Sequence, residues 1–549
     1  MRRLCAVLVL GAALAAPGSG LASPGRISVG LEPEADVATV AAQVTSTTGG
    51  TEIPGLAPLR ALVISVPDVE SALSAAKGVQ GVAFAESVLA NRTISFTPND
   101  PLAVPEHQWY LEAIRAFDFW SGSTSPPPLP PVLVAVVDSG IDATNPEFAG
   151  RIEAMRTFVA TGADVDSFGH GTMVAGEIAA ALDNGRGIAG VAFPGKLLIA
   201  KVVRKSGSIP LDAEARAIRW AVDRGASVIN LSLGGPRNPT NPRLDTYSEL
   251  ERSAIDYATR HGVVIVAAAG NCAAICPESY ANYPAALPHV IGVGATNRGT
   301  TTPRFSNRDA VHLDLAAPGT AMVSTLPLAF TDASCSEPGT TVCALDAEDR
   351  NPQGTSFSAP LVSAAAALAL SESRPFNLWP GQLTTTLARA ARDIGEPGHD
   401  SRSGYGLLNV DETIRRVGSP PPRDRLEPND DTRSRAATVR GTRRALRPTL
   451  YRYEDDRDVY RIELQAGQRA NFTLRSPSRS NADLVLWRPH TKKLDGAPRK
   501  ARLASSTRIR ARDAIVFTAP RAGWYFLEVK LTRGPGGSYG LTVVKHYPS

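Results

Sequence analysis

The 549-residue sequence predicts a doubly wound α/β domain, preceded by a small α/β unit and followed by an all-β sandwich. Three observations carry this. In the middle of the chain, apolar runs rich in β-branched residues ("VLVAVVD", "KLLIAKVV", "ASVINLSL", "GVVIVAAAG", "VIGVGA") alternate with helical stretches ("HGTMVAGEIAAALD", "YSELERSAIDYATRHG"). That is the pattern of a mostly parallel sheet covered on both faces. "VGSPPPRDRLEPNDD" then interrupts it with prolines and charges. Beyond, short alternating segments from "DVYRIEL" to "YGLTVVK" read as strands of a β-sandwich. Hydrophobic content of 43% and charged content of 20% fit soluble globular protein and disfavour disorder or a membrane bundle.

Residues 1–22 read as an export signal. "MRR" is a positive start, "LCAVLVLGAALAA" an apolar run, and small residues precede a cut near Ala22. No other stretch approaches the roughly 20 apolar residues of a membrane span, so the mature protein is expected to be secreted. Residues 23–96 hold "RISVGL", "LRALVISV" and "VQGVAFAESVLA" as strands. Between them lie two helices, "EADVATVAAQVTSTTGG" and "DVESALSAAKG", each with an acidic start and a glycine stop. This is a βα(β)βαβ unit. Residues 97–416 form the central domain, 417–428 a linker and 429–549 the sandwich; no tandem repeat is visible.

Cys5 lies in the signal, leaving Cys272, Cys276, Cys335 and Cys343, an even number in an exported chain. Three pairings exist. Cys272–Cys276 and Cys335–Cys343 are favoured because the partners of each pair share a loop. No histidine stands near either pair at zinc-ligand spacing. The net charge of +5 hides an asymmetry. From Val417 onward there are 27 Lys and Arg against 13 Asp and Glu, a balance of +14 that leaves −9 for the rest. The basic C-terminal part could hold the protein on an anionic surface, but its charges form no run and read first as scattered charges on a solvated face. No nucleic-acid motif accompanies it.

The chemistry is expected where strands of the parallel sheet end. "VAVVDSG" delivers Asp138 there. "SFGHGTMVAG" sets His170 at a helix start between glycines. "NPQGTSFSAP" sets Ser356 at the head of an alanine-rich helix that packs deep and fixes the serine. Gly354 permits close approach of another chain, and Pro360 is expected in a first turn that lacks N–H partners. A serine hydroxyl is a weak nucleophile until a base takes its proton. His170 suits that role, with Asp138 holding the imidazole. "VIVAAAGN" ends in Asn271, whose amide can face an oxyanion beside the Ser356 N–H. Each motif alone is weak. Together, on the expected strand ends and helix starts, they point to one site. A non-catalytic binding or adhesion protein would not need all four residues. A lipase-type hydrolase needs a G-x-S-x-G elbow and a later histidine, and His399, His490 and His546 have no such context.

"VAVVDSGID", "GHGTMVAG", "VINLSLGG", "AAAGN" and "GTSFSAP" resemble the subtilisin-like serine peptidases (subtilases) over nearly all of 100–416. The resemblance implies a subtilisin-like fold and endopeptidase activity on extended polypeptides without a catalytic metal, in a monomer. It implies the triad Asp138, His170 and Ser356, the oxyanion residue Asn271, and substrate contacts at Ser232, Leu233, Gly234, Gly235, Ala269, Gly270 and Asn282. Where the family carries a histidine, Met173 stands here and keeps the volume apolar. Asn282 replaces a common glycine on the floor of the primary specificity pocket and should make it shallower and more polar. The family also implies structural calcium, with Gln108, Glu147, Asp183 and Asn184 at the expected place, although Arg186 in the same turn opposes it. The N-terminal unit resembles the family's inhibitory propeptide, with processing expected between residues 92 and 99. The C-terminal unit resembles the bacterial pre-peptidase C-terminal domain. A loop longer than usual, carrying Cys335 and Cys343, is expected to overhang the leaving-group side of the cleft.

Overall fold

The computed structural model describes the chain except residues 1–24, 89–95, 121–125, 239–240, 242, 244, 275–279, 333, 344–351, 375–376, 433–434, 452–455, 495–496, 508–511, 535 and 547–549. The expected signal, part of the expected processing region and Cys276 fall outside the described residues. The chain divides into two compact units, residues 1–93 and 94–549.

In the first unit, strands β1 (Gly25–Leu31), β2 (Thr51–Ile53), β3 (Ala61–Val66) and β4 (Val82–Ser87) form a sheet in the order β2-β3-β1-β4. Its pairings are antiparallel. Helices α1 (Val37–Thr48) and α2 (Val69–Lys77) cover one face. Ile27, Val29, Leu62 and Ile64 pack there against Val40, Val44, Ala72 and Ala76. Each helix begins on an aspartate that accepts from a backbone N–H, Asp36 from Thr39 and Asp68 from Ser71. Gly49, at φ +62°, ends α1 in the left-handed conformation.

The second unit is built on seven strands: β5 (Val132–Asp138), β6 (Ile152–Thr157), β7 (Gly195–Lys201), β8 (Val228–Leu231), β9 (Val264–Ala268), β10 (Val290–Thr296) and β11 (Leu315–Pro318). They lie in the order β11-β10-β9-β8-β5-β7-β6, and every pairing is parallel. On one face lie α3 (Trp109–Ala113), α4 (His170–Ala179), α7 (Thr355–Glu372), α8 (Pro380–Ala390) and α9 (Val410–Arg416). On the other lie α5 (Leu211–Asp223) and α6 (Glu249–Arg260). Fifteen of the eighteen residues of α7 are buried, so it has no polar face and sits wholly inside. Its alanines allow close packing on β8, β9, β10 and α4.

Glu214 of α5 and Glu251 of α6 are 3% and 2% exposed and share a hydrogen bond between carboxyls. Burial, reinforced by the charge of Glu251, pushes Glu214 far above the usual carboxyl range. Burial lifts Glu251 to about 7 against the hydrogen bond from Glu214.

The sandwich comprises β12 (Ala437–Val439), β13 (Arg443–Leu446), β14 (Thr449–Tyr451), β15 (Arg457–Leu464), β16 (Arg469–Arg475), β17 (Asn481–Trp487), β18 (Arg502–Ser506), β19 (Arg512–Thr518), β20 (Gly523–Arg533), β21 (Gly536–Ser538) and β22 (Gly540–Lys545). One sheet runs β12-β15-β20-β17-β18, the other β13-β22-β16-β19, and β14 pairs with β21. Tyr460, Phe472, Leu484 and Tyr525 fill the space between.

The proline-rich linker is fastened down. Gln382 Nε2 donates to Pro421 O (2.6 Å), and the Arg423 guanidinium lies 3.3 Å from the centre of the Trp379 ring. The sandwich meets the α/β body along a charged seam. His289 Nε2 is 2.9 Å from Asp430 Oδ2 and 3.4 Å from Glu427 Oε2. Arg435 pairs with Asp256 (2.7 Å) and Glu249 (3.0 Å) of α6. Beside the seam, Asp424, Glu427 and Asp458 converge within 4.8 Å, and burial together with Asp424 pushes Asp458 to about 8.

A carboxyl whose folded pKa is raised contributes stability that is complete below its unfolded value, near 4.3, and is lost as pH rises through the folded value. Glu251→Gln removes that loss. From pH 5 to pH 8 the variant should gain on wild type by on the order of 2 kcal/mol. Denaturant unfolding at the two pH values measures the gap; a constant gap would clear the carboxyl pair of this role.

Candidate active site

The parallel register carries Asp138 to the carboxyl end of β5, where it is 2% exposed. The Ser139 N–H donates to its Oδ1 (2.6 Å), and His170 Nδ1 lies 2.8 Å from the same oxygen. That contact assigns the proton to Nδ1 and leaves Nε2 as the basic nitrogen. His170 opens α4 after Gly169, which holds φ +73°. A Cβ at Gly171 would lie 2.2 Å from Gly140 O, so the chain after His170 lies directly on the turn after Asp138. Burial alone would lower the pKa of His170. The charge of Asp138 and its hydrogen bond, with Asp166 contributing, outweigh burial and hold the imidazole above its usual value.

Asp166 is a residue that the motif reading missed. Its Oδ1 accepts from Ser139 Oγ (2.8 Å) and from the N–H groups of Phe168 and Gly169. Its Oδ2 accepts from Thr172 N and Thr172 Oγ1. One carboxylate thus organises the loop that presents His170 and ties it to the turn after Asp138. The available signal was an aspartate four residues before a histidine at a helix start. Met173 packs half-buried against the main core, as expected of an apolar filler.

Ser356 is the second residue of α7, and the His170 ring packs on Phe357 beside it, with centroids 5.6 Å apart. Pro360 is the sixth residue of this helix, not part of its first turn, which corrects the expectation. Its missing N–H would have bonded the carbonyl four residues earlier, that of Ser356. Ser232 Oγ donates to that carbonyl instead (2.7 Å). Ser232 in turn accepts from Asn230 Nδ2 (2.9 Å), and Asn230 Oδ1 accepts from Ser363 Oγ (2.8 Å). On the other flank, Asn271 Oδ1 accepts from Thr355 N (2.9 Å) and Thr355 Oγ1 (3.0 Å). This fixes the amide so that its NH2 lies by Gly354, 3.0 Å from where a Cβ would stand. Thr355 Oγ1 also accepts from Gly270 N (3.0 Å).

Of the expected substrate residues, Gly234 is exposed and Leu233 half-buried against the core. Gly235 exchanges two hydrogen bonds with Tyr283. Ala269 is fully buried, its N–H given to Val293 and its carbonyl accepting from Asn282, so it supports the wall from behind. The Asn282 amide takes a hydrogen bond from Asn307 Nδ2 (3.2 Å) and lies 2.6 Å from where a Cβ on Gly270 would stand.

One expectation is corrected. Cys335 and Cys343 are free thiols, and Cys335 Sγ donates to the Cys343 carbonyl (3.2 Å). Cys272 is disulfide-bonded. The early part of their loop reaches the site, since Phe330 lies against Gly169. The residues expected to hold calcium do not form an oxygen cage. Gln108 Oε1 accepts from Ala189 N, Asp183 Oδ1 from Asn99 N, and Asn184 Oδ1 from Arg186 N. Asn184 offers its NH2, not its oxygen, to Glu147. Calcium wants six to eight convergent oxygens; here N–H groups occupy them, and burial lifts Glu147 to about 7.

Residues 131–406 match the model of the subtilase family, Peptidase_S8. The chain is 36% identical to a subtilisin of Bacillus pumilus over 279 residues, covering 51% of this chain and 89% of that one. It is 36% identical to subtilisin E of Bacillus subtilis, covering 51% of this chain and 64% of that one. A crystal structure of a lanthipeptide protease aligns with a TM-score of 0.48 at 24% identity, over 59% of this chain and 99% of that one.

Ser232→Ala leaves the Ser356 carbonyl without its donor. The loss should cost about 1–3 kcal/mol of stability and lower kcat more than it raises KM. Unfolding midpoints and peptide kinetics measure both; kcat unchanged at a lowered midpoint would reduce Ser232 to a purely structural role.

Proposed function

The chain belongs to the subtilase family of serine peptidases, and we propose that it is a secreted endopeptidase that cleaves extended polypeptides through an acyl-enzyme on Ser356. The observation that carries the reading is the 2.8 Å contact between His170 Nδ1 and the Asp138 carboxylate, with Ser356 at the buried head of α7 packed against α4. Ser356 Oγ attacks the scissile carbonyl as His170 Nε2 takes its proton. Asp138 holds the tautomer and stabilises the imidazolium. The NH2 of Asn271 and the Ser356 N–H receive the oxyanion; in subtilisin, loss of the equivalent side-chain donor costs about two to three orders of magnitude. His170 then protonates the leaving amine, and water, deprotonated by the same nitrogen, releases the acid. Substrate backbone pairs with the edge at Leu233 and Gly234.

Residues 1–22 direct export, and the unit of residues 23–96 acts as a propeptide that blocks the cleft until cut between 92 and 99. The basic C-terminal unit holds the mature enzyme at an anionic surface. Asn282 shortens the primary specificity pocket, which supports a preference for small side chains.

A fluorophosphonate should label the wild-type protein at Ser356. Ser356→Ala should abolish labelling and lower kcat by about six orders of magnitude, as in subtilisin; persistent labelling, or an unlabelled wild type, would leave a binding protein in its place. Asn282→Gly should raise the kcat/KM ratio of Phe over Ala peptides by about tenfold or more, and a wild type that already prefers Phe would contradict this role.

A further inference from the structure

The sandwich carries an open cavity of about 900 Å³ at the end where β16 and β20 finish and β17 and β22 begin. Arg447, Arg475, Arg479 and Arg533 line it, all four exposed, and no Asp or Glu is among the described residues of its wall. Arg512 stands directly opposite Arg475 across β16 and β19, adding a fifth positive charge at this end. Among the described residues of the sandwich, Arg457 is paired with Glu528 and Arg435 with Asp256 and Glu249. Among the described residues none of the four in the cavity is in an ion pair. Like charges gathered around a concavity repel one another, and low-dielectric walls focus their field. Such an arrangement is relieved by an anion from outside.

The cavity is built, not incidental. Gly536 N donates to Ser480 Oγ (3.0 Å), and Ala482 N donates to Ser476 Oγ (3.0 Å), so the two loops that form it are tied to each other and to β17. A Cβ at Gly534 would lie 2.5 Å from Arg479 O, which keeps the loops in close contact. Arg479 itself holds φ +59°, a left-handed conformation that costs a non-glycine residue about 1 kcal/mol or more. The fold thus spends strain on placing one of the four arginines.

We propose that this cavity binds an acidic saccharide chain through its sulfate or phosphate esters. The planar guanidinium matches tetrahedral oxyanions with paired N–H groups, and Ser478, Ser538 and Asn481 in the wall supply hydroxyl and amide groups for sugar hydroxyls. The volume is that of a site for a short oligomer. The lining favours this over other polyanions. Its one aromatic residue, Tyr539, is 3% exposed and turns its hydroxyl onto Asp458, so no ring is presented for stacking bases. Among its described residues the wall offers no exposed apolar side chain of the kind that enters a membrane. The assignment rests on the surface-attachment reading for the sign of the partner and is independent of the peptidase reaction.

The test uses the full secreted chain in calorimetric titrations. The probes are a sulfated heparin-type oligosaccharide, the same oligosaccharide desulfated, a phosphorylated mannan oligosaccharide, a DNA oligonucleotide of equal charge and anionic vesicles. An esterified saccharide should bind, weakening with salt, and whichever ester binds tighter identifies the source. Arg475→Gln with Arg479→Gln should weaken that binding about tenfold or more. Arg499→Gln with Lys500→Gln, outside the cavity, should change it less than about twofold. Arg533→Gln alone gives a smaller loss should the first pair lower the unfolding midpoint. Hydrolysis of a soluble peptide should stay constant throughout, which separates failure here from failure of the peptidase reading. Equal losses in the two double variants, no binding of either ester, or DNA or vesicles bound as tightly would overturn the proposal.

Discussion

The position of Ser356 depends on one absent backbone hydrogen. Pro360 cannot donate to the Ser356 carbonyl, and a buried carbonyl must find a donor or cost free energy. Ser232 provides it from the end of β8, and the Asn230–Ser363 contact closes the chain back onto the same helix. Thr355 ties the other flank to Asn271 and Gly270 at the end of β9. His170 is held from the end of β5. Three strand ends of one parallel sheet therefore hold His170 and the two flanks of Ser356. Register, not loop conformation, sets their spacing, and α7 cannot rotate without breaking contacts on both flanks.

The same molecule treats its buried acids in two ways. Asp138 and Asp166 receive several N–H or O–H donors and sit where negative charge serves His170. Glu177, on the same helix as His170, is fully buried, and burial pushes its carboxyl far up, so it is neutral and adds no field of its own. Glu214 and Glu251 share a proton between α5 and α6.

Much of this was legible because the relevant signals are local. The five apolar runs became β5, β7, β8, β9 and β10, and six alternating segments became strands of the sandwich. What the reading left out lacked such signals. β6 is an edge strand with alternating exposure and charged residues, β11 is four residues ending in proline, and β12, β14 and β21 are three residues each. Asp138, His170 and Asn271 fell where motif and predicted element agreed. The roles of Pro360, Asp166 and Thr355 were not legible, because each acts through a partner distant in sequence. Of the cysteine expectations only the Cys335–Cys343 bridge is absent, while Cys272 is disulfide-bonded; sharing a loop does not by itself close a bridge. At the residues expected to hold calcium, the oxygens of Gln108, Asp183 and Asn184 take backbone N–H donors, which residue type alone does not reveal.

The charge asymmetry also acquires a meaning that composition alone could not supply. The seam matches Arg435 of the basic sandwich to Asp256 and Glu249 of the acidic body, while His289 of the body faces Asp430 and Glu427. Opposite signs are used up there, with partners inside the molecule. The arginines of the cavity share no residue with the seam and have no internal counter-charge among the described residues. Docking of the sandwich and capture of an anion therefore draw on separate sets of charges. A ligand in the cavity need not compete with the contacts that hold the sandwich to the α/β body.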